Sequence, residues 1–502
     1  MIKRSTVLLT LIWLALVLLL QARPLDDFDT LTQIQLGRLI LEAKSVAIPE
    51  VFSYPLSNCK LPNPGWLAQV LFAWLFSLGG LSLLKLCSDA CLAGVIVWVT
   101  SQAAANLKQK PNQGTRLVAI ALSSLTAFFT VASNSSVRPQ VIALGCFGWL
   151  LGTILKPKIG FGQVAKAALA MLLWQNAHPS LTLGLLLLAV VLFARLSTPQ
   201  TQRTTKELQP LLLLSILTIV LQFATPQGAS VFETNRRNLE AARHWLGVSE
   251  WVPAWKPIVR QAMIPFWLLF AGTLALVARY IKRLKREEIL LFAAFSALSI
   301  YAARFAMFFA LANIPLWLRL LHFFWPAGIW AWQDKACVSR KFYAPAASIF
   351  FALVCLFKLR AAPDFGRDYP GGAILKLKSI LPEGRIYNYR EWAGGLIWEM
   401  PGKWQVAIDG RLYLYDRAKW LEYNNAALGR IEPQILAERD KIDAFFLRKS
   451  FQAGLIERLA EENAWARCFE DELTVIYCKR VARSLTGVVD TKQKSAGPTS
   501  VK

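Results

Sequence analysis

The chain has 502 residues, 55% of them hydrophobic and 18% charged, with 56 Lys and Arg against 32 Asp and Glu. An average soluble domain carries about 25% charged residues, so this composition excludes a disordered chain, collagen and a coiled coil and argues against a single soluble globule. The net charge of +24 fits the Lys and Arg that collect in cytoplasmic loops of membrane proteins, so no nucleic-acid partner is predicted.

Apolar runs predict a polytopic membrane protein over residues 1–360. A membrane-spanning helix needs about 20 mostly apolar residues. The first run, 6–20, is interpreted as an uncleaved span, because Leu20 makes a poor signal-peptidase site before Ala22. Ten further runs bring the prediction to about eleven transmembrane helices: 80–104, 117–133, 139–155, 167–178, 181–194, 208–224, 262–278, 289–303, 305–332 and 343–358.

Basic residues orient the predicted spans. They fall into five groups that share one side if 66–78 lies along the membrane surface: Lys108, Lys110 and Arg116; Lys156, Lys158 and Lys166; Arg195, Arg203 and Lys206; Arg279, Lys282, Arg283, Lys285 and Arg286; Lys335, Arg340 and Lys341. The positive-inside rule places this side and the N-terminus in the cytoplasm. The opposite face then receives the long loop 21–65 and everything after about residue 360.

The tail beyond residue 360 predicts a small α/β domain over 366–481 on the outer face. Strands and helices alternate there, which favours a mainly parallel sheet. The predicted strands are 385–389, 405–408 and 442–447, the helices are 391–400, 416–428 and 450–463, and a hairpin of 468–470 and 473–478 closes the domain. Residues 482–502 are polar and are predicted to be disordered.

Three carboxylates, Asp26, Asp27 and Asp29, follow directly after the first predicted span. Carboxylates this close to a membrane are costly to desolvate unless they are paired, bind a metal or act as a base. Two of them could share a divalent cation, or one could deprotonate an acceptor hydroxyl. Taken alone, the pattern is more typical of a solvated acidic turn.

Two Arg residues on the outer face run against the charge rule. Arg138 lies between two apolar runs, and Arg304 lies within a still more apolar stretch. A guanidinium can bind phosphate in a bidentate manner, so both residues fit recognition of a phosphate-bearing membrane lipid. A snorkelling side chain or a helix-packing ion pair remains the alternative.

Other polar residues of the outer face are weaker candidates. Asn176 and His178 could hydrogen-bond a sugar or phosphate beside Trp174, although a lone His is more often structural, and Glu250 could bind a ligand or lie on the surface. Asp409 and Arg411 flank a glycine at a strand end, and a structural ion pair is favoured there.

These motifs occur in a definite order between residues 26 and 423. In order they are Asp27-Phe28-Asp29, Gly37-Arg38-Leu39-Ile40, Pro49 with Phe52-Ser53-Tyr54, Asn63 before Trp66-Leu67, Gly79-Gly80, Arg138-Pro139-Gln140, Trp174 with Asn176 and His178, Glu250-Trp251, Arg304-Phe305, Trp392 to Trp398, and Asp409-Gly410-Arg411. In this set the chain resembles an uncharacterised bacterial family of polytopic membrane proteins in the GT-C glycosyltransferase superfamily. One motif departs from the family pattern: where the family has an aromatic-aromatic-His motif, this chain has Leu31-Thr32-Gln33.

The resemblance implies an inverting glycosyltransferase of the bacterial inner membrane with a GT-C-like fold. Such an enzyme takes a sugar from a polyprenyl-phosphate carrier and transfers it to an envelope acceptor on the outer face. Asp29 would be the base, assisted by Asp27, and Arg138 and Arg304 would neutralise the lipid phosphate. The implied substrate-binding residues are Arg138, Asn176, His178, Glu250 and Arg304. A divalent cation is left open, and no other cofactor is implied.

Two other classes stay open. One is a flippase or polymerase of envelope glycans, and the other is a non-catalytic membrane scaffold whose tail binds an envelope partner. A transporter is expected to carry its functional polar residues near the bilayer midplane, whereas these residues cluster at one face. A scaffold does not require them to converge.

Overall fold

The structure is a computed structural model, and it describes residues 4–57, 59, 62–107, 113–132, 136–156, 158–197, 205–242, 249–324 and 364–480. The described part before residue 325 is almost entirely helical. Its α-helices are α1 (Arg4–Gln21), α2 (Asp29–Ala43), α3 (Trp66–Ala105), α4 (Gln113–Ala132), α5 (Gln140–Ile154), α6 (Phe161–Ala177), α7 (Thr182–Leu196), α8 (Thr205–Leu221), α9 (Ser230–Glu240), α10 (Arg260–Tyr280), α11 (Arg286–Tyr301) and α12 (Ala306–Phe324).

Three helical stretches in the described residues are long and apolar enough to cross a membrane: Trp66–Ala105, Pro257–Arg283 and Ala303–Phe324. Shorter apolar helices accompany them at Ser5–Gln21, Arg116–Ala132, Gln140–Ile154, Thr182–Leu196 and Leu208–Leu221. This supports a membrane-associated helical fold but does not establish eleven spans. The predicted run 343–358, the end of the run 305–332 and the basic group at 335–341 lie outside the described residues.

Helix α3 has 40 residues and is interrupted at a glycine pair. Gly80 has φ of +65°, a value that L side chains rarely adopt, so the pair breaks the helix at the end of the segment 66–78. Helix α2 packs closely on this first part of α3. A Cβ at Gly37 would lie 2.0 Å from the Gln69 carbonyl oxygen, so only glycine permits the contact between the two backbones.

Helix α12 lies at the centre of the helical core, where α3, α4 and α11 pack against it. Its side chains are buried on nearly every face, unlike those of α10, which exposes Ile264 and Leu268. Aromatic rings fill the space around Phe147, whose ring centre is 5.1 Å from that of Phe308 and 5.5 Å from that of Phe295. Edge-to-face pairs of this kind add to the stabilisation that comes from area burial.

The C-terminal residues form a small α/β domain, as predicted. Its elements are α13 (Gly371–Ile380), β1 (Gly384–Asn388), α14 (Ala393–Glu399), β2 (Trp404–Val406), α15 (Arg417–Ala427), α16 (Pro433–Asp440), β3 (Ala444–Arg448), α17 (Ala453–Glu461), β4 (Trp465–Glu470) and β5 (Thr474–Lys479). The strand order is β2-β1-β3-β5-β4. Strand β1 is parallel to β2 and β3, whereas β5 is antiparallel to β3 and β4, so the sheet is mixed rather than mainly parallel.

The loop 21–65 and the C-terminal domain pack directly against each other. The backbone N–H of Val406 donates to the carbonyl of Phe52 at 2.8 Å, beside a parallel bridge between Ser53 and Val406. Helix α14 approaches the turn before α2 so closely that a Cβ at Gly394 would lie 1.9 Å from the Phe28 carbonyl oxygen. Gly394 therefore permits a close backbone contact between α14 and the first loop.

Candidate functional site

A cavity of about 180 Å³ lies where the loops of the helical region meet the C-terminal domain. It is lined by five of the residues predicted from the sequence: Asp29, Arg138, His178, Glu250 and Arg304. The C-terminal domain supplies Arg390, Gly410, Arg411, Leu412 and Tyr413. Residues that are hundreds of positions apart in the chain therefore meet around one small space.

A larger cavity of about 850 Å³ is lined by residues of the predicted cytoplasmic loops, among them Lys156 and Arg195, and by Arg319 of α12. Two of its cations already have protein partners, because Arg195 Nε lies 3.4 Å from Glu287 and Arg319 Nε lies 2.7 Å from Glu288. It contains none of the predicted site residues, so the smaller cavity is the candidate site.

The acidic end of the site is built by the start of α2. The backbone N–H of Asp29 donates to Asp27 Oδ1 at 3.1 Å, and Ser136 Oγ donates to Asp27 Oδ2 at 2.9 Å. Both carboxylates lie at a helix N-terminus, where the helix dipole favours negative charge. The Asp27 side chain is buried and does not line the cavity, so its place is behind Asp29.

Arg138 joins the three carboxylates of the site. Its guanidinium pairs with Asp27, lies 3.7 Å from Asp29 Oδ2 through Nη2, and lies 3.1 Å from Glu250 Oε1 through Nη1. Burial alone would lower the pKa of Arg138, but Asp27, Glu250 and Asp29 outweigh burial and hold it well above its usual value. Arg138 is therefore a fixed positive charge beside the acidic residues.

The Asp29 carboxyl has a pKa close to neutral pH. Burial, reinforced by the charges of Asp27 and Asp409, raises its pKa from 3.8 to about 6, although Arg138 and Arg390 act in the opposite direction. The turn at Gly410 packs against it, because a Cβ at Gly410 would lie 2.1 Å from Asp29 Oδ1. A carboxylate with this pKa is a stronger base than an exposed Asp and is still ionised at pH 7.

Arg304 is buried at the far side of the cavity. Its Nη1 lies 3.5 Å from Glu250 Oε1, and its Nη2 donates to Gln140 Oε1 at 3.5 Å. The centre of the guanidinium lies 4.0 Å from the centre of the Trp251 ring, a cation–π contact that holds the planar group in one orientation. Burial opposes ionisation of Glu250, but Arg304 and Arg138 outweigh it and lower its pKa.

His178 lines the cavity as a neutral side chain. Its Nδ1 is 2.8 Å from Ser180 Oγ. Burial, followed by the charge of Arg304, lowers its pKa to about 3, although Glu250 acts in the opposite direction. A neutral imidazole can donate or accept a hydrogen bond but contributes no positive charge at neutral pH.

Asn176 does not line the cavity. Its amide donates to the carbonyls of Leu172 at 3.0 Å and Ala224 at 2.8 Å, and its oxygen accepts from Trp66 Nε1 at 2.9 Å. The bonds with Trp66 and Ala224 tie the end of α6 to α3 and to the chain after α8, whereas Leu172 lies one turn earlier in α6 itself. The geometry therefore favours a structural role for Asn176. Trp174 is fully buried and offers no stacking face.

The sequence missed the contribution of the C-terminal domain to this site. Arg390 lines the cavity, opposes the rise in the pKa of Asp29 and helps to lower the pKa of Glu250. Arg411 has the structural role that its spacing suggested, since it pairs with Asp409 at 2.6 Å and also with Glu50 at 2.6 Å. Its partner Glu50 was not singled out, because nothing in the sequence connects residue 50 with residue 411.

Gln33 of α2 also lines the cavity. Its Oε1 accepts from Gln69 Nε2 at 2.9 Å, and Gln69 Oε1 accepts from Asn63 Nδ2 at 2.6 Å. Gln33 therefore contributes an amide, and no titratable group, to the cavity. Three amides from α2, α3 and the preceding loop form one hydrogen-bonded chain.

No family model matches the chain, and no curated protein matches it. Within the described ranges, no group of three or more His, Cys, Asp or Glu side chains is arranged to hold a metal ion. The Arg138 guanidinium contacts both Asp27 and Asp29 and lies where a cation shared by these two carboxylates would have to sit.

Proposed function

We propose that the protein is a membrane glycosyltransferase that moves a sugar from a polyprenyl-phosphate carrier to an envelope acceptor. The observation that carries this proposal is the pairing of a base with phosphate-binding groups in one cavity. Asp29, with a pKa of about 6, lies 3.7 Å from Arg138, and Arg304 lines the same space. A transferase that uses a lipid-phosphate leaving group needs both of these functions.

In the proposed reaction Asp29 accepts the proton of an acceptor hydroxyl as the hydroxyl oxygen attacks the anomeric carbon of the donor sugar. A new carbon–oxygen bond forms, and the bond between the anomeric carbon and the phosphate oxygen breaks. The electron pair of the broken bond stays on the lipid phosphate. A single displacement of this kind inverts the configuration at the anomeric carbon.

Arg138 and Arg304 stabilise the charge that develops on the leaving phosphate. Preorganised cations in a buried site are effective at this task because they need no reorganisation during the reaction. Trp251 and Gln140 hold the Arg304 guanidinium in place, and Asp27 holds Arg138. His178, being neutral, would orient the sugar or phosphate through a hydrogen bond rather than by charge.

A divalent cation bound by Asp27 and Asp29 remains a prediction from the sequence. Arg138 already supplies a positive charge to both carboxylates. The residues in their present arrangement do not fit a shared divalent ion, and the proposed reaction routes no step through a metal.

The proposal places the protein in the bacterial inner membrane, with its N-terminus in the cytoplasm and its C-terminal domain on the outer face. The apolar helices support membrane association. The basic groups of the sequence support the orientation. In this orientation the cavity opens among the outer loops, where a polyprenyl chain can remain in the bilayer while its phosphate reaches Arg138 and Arg304.

A transferase is favoured over a scaffold because Asp29, Arg138, His178 and Arg304 come from four separate segments and yet line one cavity. It is favoured over a transporter because this cavity adjoins the C-terminal domain instead of lying among membrane helices.

The test is a transfer assay with the purified full-length chain in detergent or nanodiscs. A panel of polyprenyl-phosphate sugars is offered with a mixture of envelope glycans as acceptor, and release of polyprenyl phosphate is measured. Release that depends on Asp29 supports the proposal. No release with any donor of the panel, from protein that binds none of them, contradicts it.

A further inference from the structure

One carboxylate oxygen of the cavity is shared by two guanidinium groups. Glu250 Oε1 lies 3.1 Å from Arg138 Nη1 and 3.5 Å from Arg304 Nη1. Such a position, between two cations in a largely buried cavity, is one that an oxygen of a bound phosphate group would take. The chain's own carboxylate therefore occupies an anion site.

The two cations are held differently. Arg138 has a second anchor in Asp27, so it remains in place without Glu250. Within the described residues, Arg304 has no other ion-pair partner than Glu250, and its two polar contacts, with Glu250 and Gln140, are both at 3.5 Å. A guanidinium offers five N–H donors, so two long contacts leave much of its capacity unused. The buried Arg411, by contrast, has carboxylate contacts at 2.6 Å on two sides.

Glu250 can leave this position without a change in the fold. It belongs to the short 3₁₀ helix Ser249–Trp251, and a quarter of its side chain is exposed. Rotation about its side-chain bonds moves the carboxylate from between the guanidinium groups, while Trp251 continues to hold Arg304 from the other face.

We infer that Glu250 is an internal competitor of the substrate: its carboxylate fills a phosphate site formed by Arg138 and Arg304, and a phosphate-bearing lipid must displace it to bind. This inference rests on the proposed function for the identity of the ligand and changes the role of Glu250. Its carboxylate keeps the two buried cations paired while the site has no ligand. After transfer its return displaces the lipid phosphate and so speeds product release.

The test compares Glu250→Gln with wild type in titrations of the purified full chain. The probes are polyprenyl monophosphate, inorganic phosphate and uncharged polyprenol. Removal of a competing charge-assisted contact is expected to tighten binding of the phosphate lipid about tenfold. If the Gln variant also binds inorganic phosphate more tightly, the effect lies at the phosphate group alone. Its affinity for uncharged polyprenol is expected to be unchanged.

Glu233→Gln is the matched control, because Glu233 is an exposed carboxylate of α9 that pairs with Arg236 and Arg237 and does not line the cavity. It is expected to leave every affinity unchanged. Glu250→Asp keeps the charge but shortens the side chain, so its carboxylate competes less well for the two cations. This variant is therefore expected to bind the phosphate probes more tightly than wild type, but by less than Glu250→Gln. It also serves if the Gln variant folds poorly.

Three results overturn the inference. Weaker or unchanged phosphate binding by the Gln variant shows that Glu250 positions the cations instead of competing for them. If phosphate binding tightens in Glu250→Gln but not in Glu250→Asp, the effect comes from the loss of a negative charge at long range and not from displacement. If neither wild type nor the variants bind any phosphate probe, both the inference and the proposed function fail, whereas unchanged binding with intact sugar transfer contradicts the inference alone.

Discussion

Replacement of Asp29 by Asn is expected to lower activity and raise stability in the same protein. Asn has nearly the same shape as Asp but cannot accept the proton of an acceptor hydroxyl. General-base catalysis typically contributes about 10²–10⁴-fold, so turnover is expected to fall by that factor. Binding of the lipid donor is expected to survive, because Arg138 and Arg304 are unchanged.

The stability gain follows from the pKa of Asp29, which is raised from 3.8 to about 6 in the folded protein. A raised carboxyl pKa stabilises the folded state below about pH 4, and this contribution is lost as the pH rises through about 6. The difference between the two pKa values lowers the free energy of unfolding of the wild-type protein by about 3 kcal/mol at pH 7. The Asn variant has no carboxyl to ionise and avoids this loss. The advantage of the variant is therefore expected at neutral pH and disappears below about pH 4.

Two assays check this prediction. The pH profile of sugar transfer by wild type should rise up to about pH 6 and then flatten, and the residual activity of Asp29→Asn should lack that rise. Thermal unfolding of both proteins from pH 4 to pH 8 should show the widest gap at neutral pH. Asp26→Asn is the control, because Asp26 is an exposed carboxylate of the same loop that lies outside the cavity. Full activity of Asp29→Asn, or a loss of stability at pH 7, would refute the reasoning.

Substitutions at Arg304, Gly410 and Arg411 test other parts of the site. Arg304→Ala is expected to weaken phosphate-lipid binding and slow turnover together. Arg304→Lys is expected to recover only part of both, because Lys lacks the guanidinium fork. Kinetic assays in which the Lys variant equals wild type would contradict this prediction. Gly410→Ala places a Cβ 2.1 Å from Asp29 Oδ1 and is expected to impair transfer, whereas Gly372→Ala, which has nothing within 4 Å, should leave the rate unchanged. Arg411→Ala leaves Glu50 and Asp409 buried without their cation, so it is expected to cost about 3–5 kcal/mol of stability, measurable as a lower unfolding temperature; an unchanged value would show that the pair is not a structural link.

Three outer-loop residues of the site, Asp29, Arg138 and Arg304, could be found in the sequence because their charges lie in unusual places. Arg138 and Arg304 carry positive charge on the face where the charge rule predicts little, and Asp29 follows an apolar span. Such breaches are visible without a structure. The role suggested for Asn176 stays a prediction, and nothing in the sequence shows that the carbonyls of Leu172 and Ala224 engage its amide.

The alternation of strands and helices predicted the C-terminal domain, but it could not predict how the domain docks. Arg390 and Gly410 reach the cavity only through tertiary contacts with the loop 21–65. The mixed sheet arises from the closing hairpin, whose strand β5 inserts beside β3. The number of spans is harder to read, because helices such as α5 and α7 have 15 residues, fewer than the length typical of an isolated span.

The ion pair of Glu50 and Arg411 also sets an order of events during synthesis. The two residues are 361 positions apart, so Glu50 emerges from the ribosome long before its cation exists. Until then the loop 21–65 lacks both Arg411 and the edge strand that receives Phe52. The cavity is completed only when the C-terminal domain has folded onto this early loop. A nascent or prematurely terminated chain therefore holds the helices of the site but cannot close the cavity until nearly the whole protein is made.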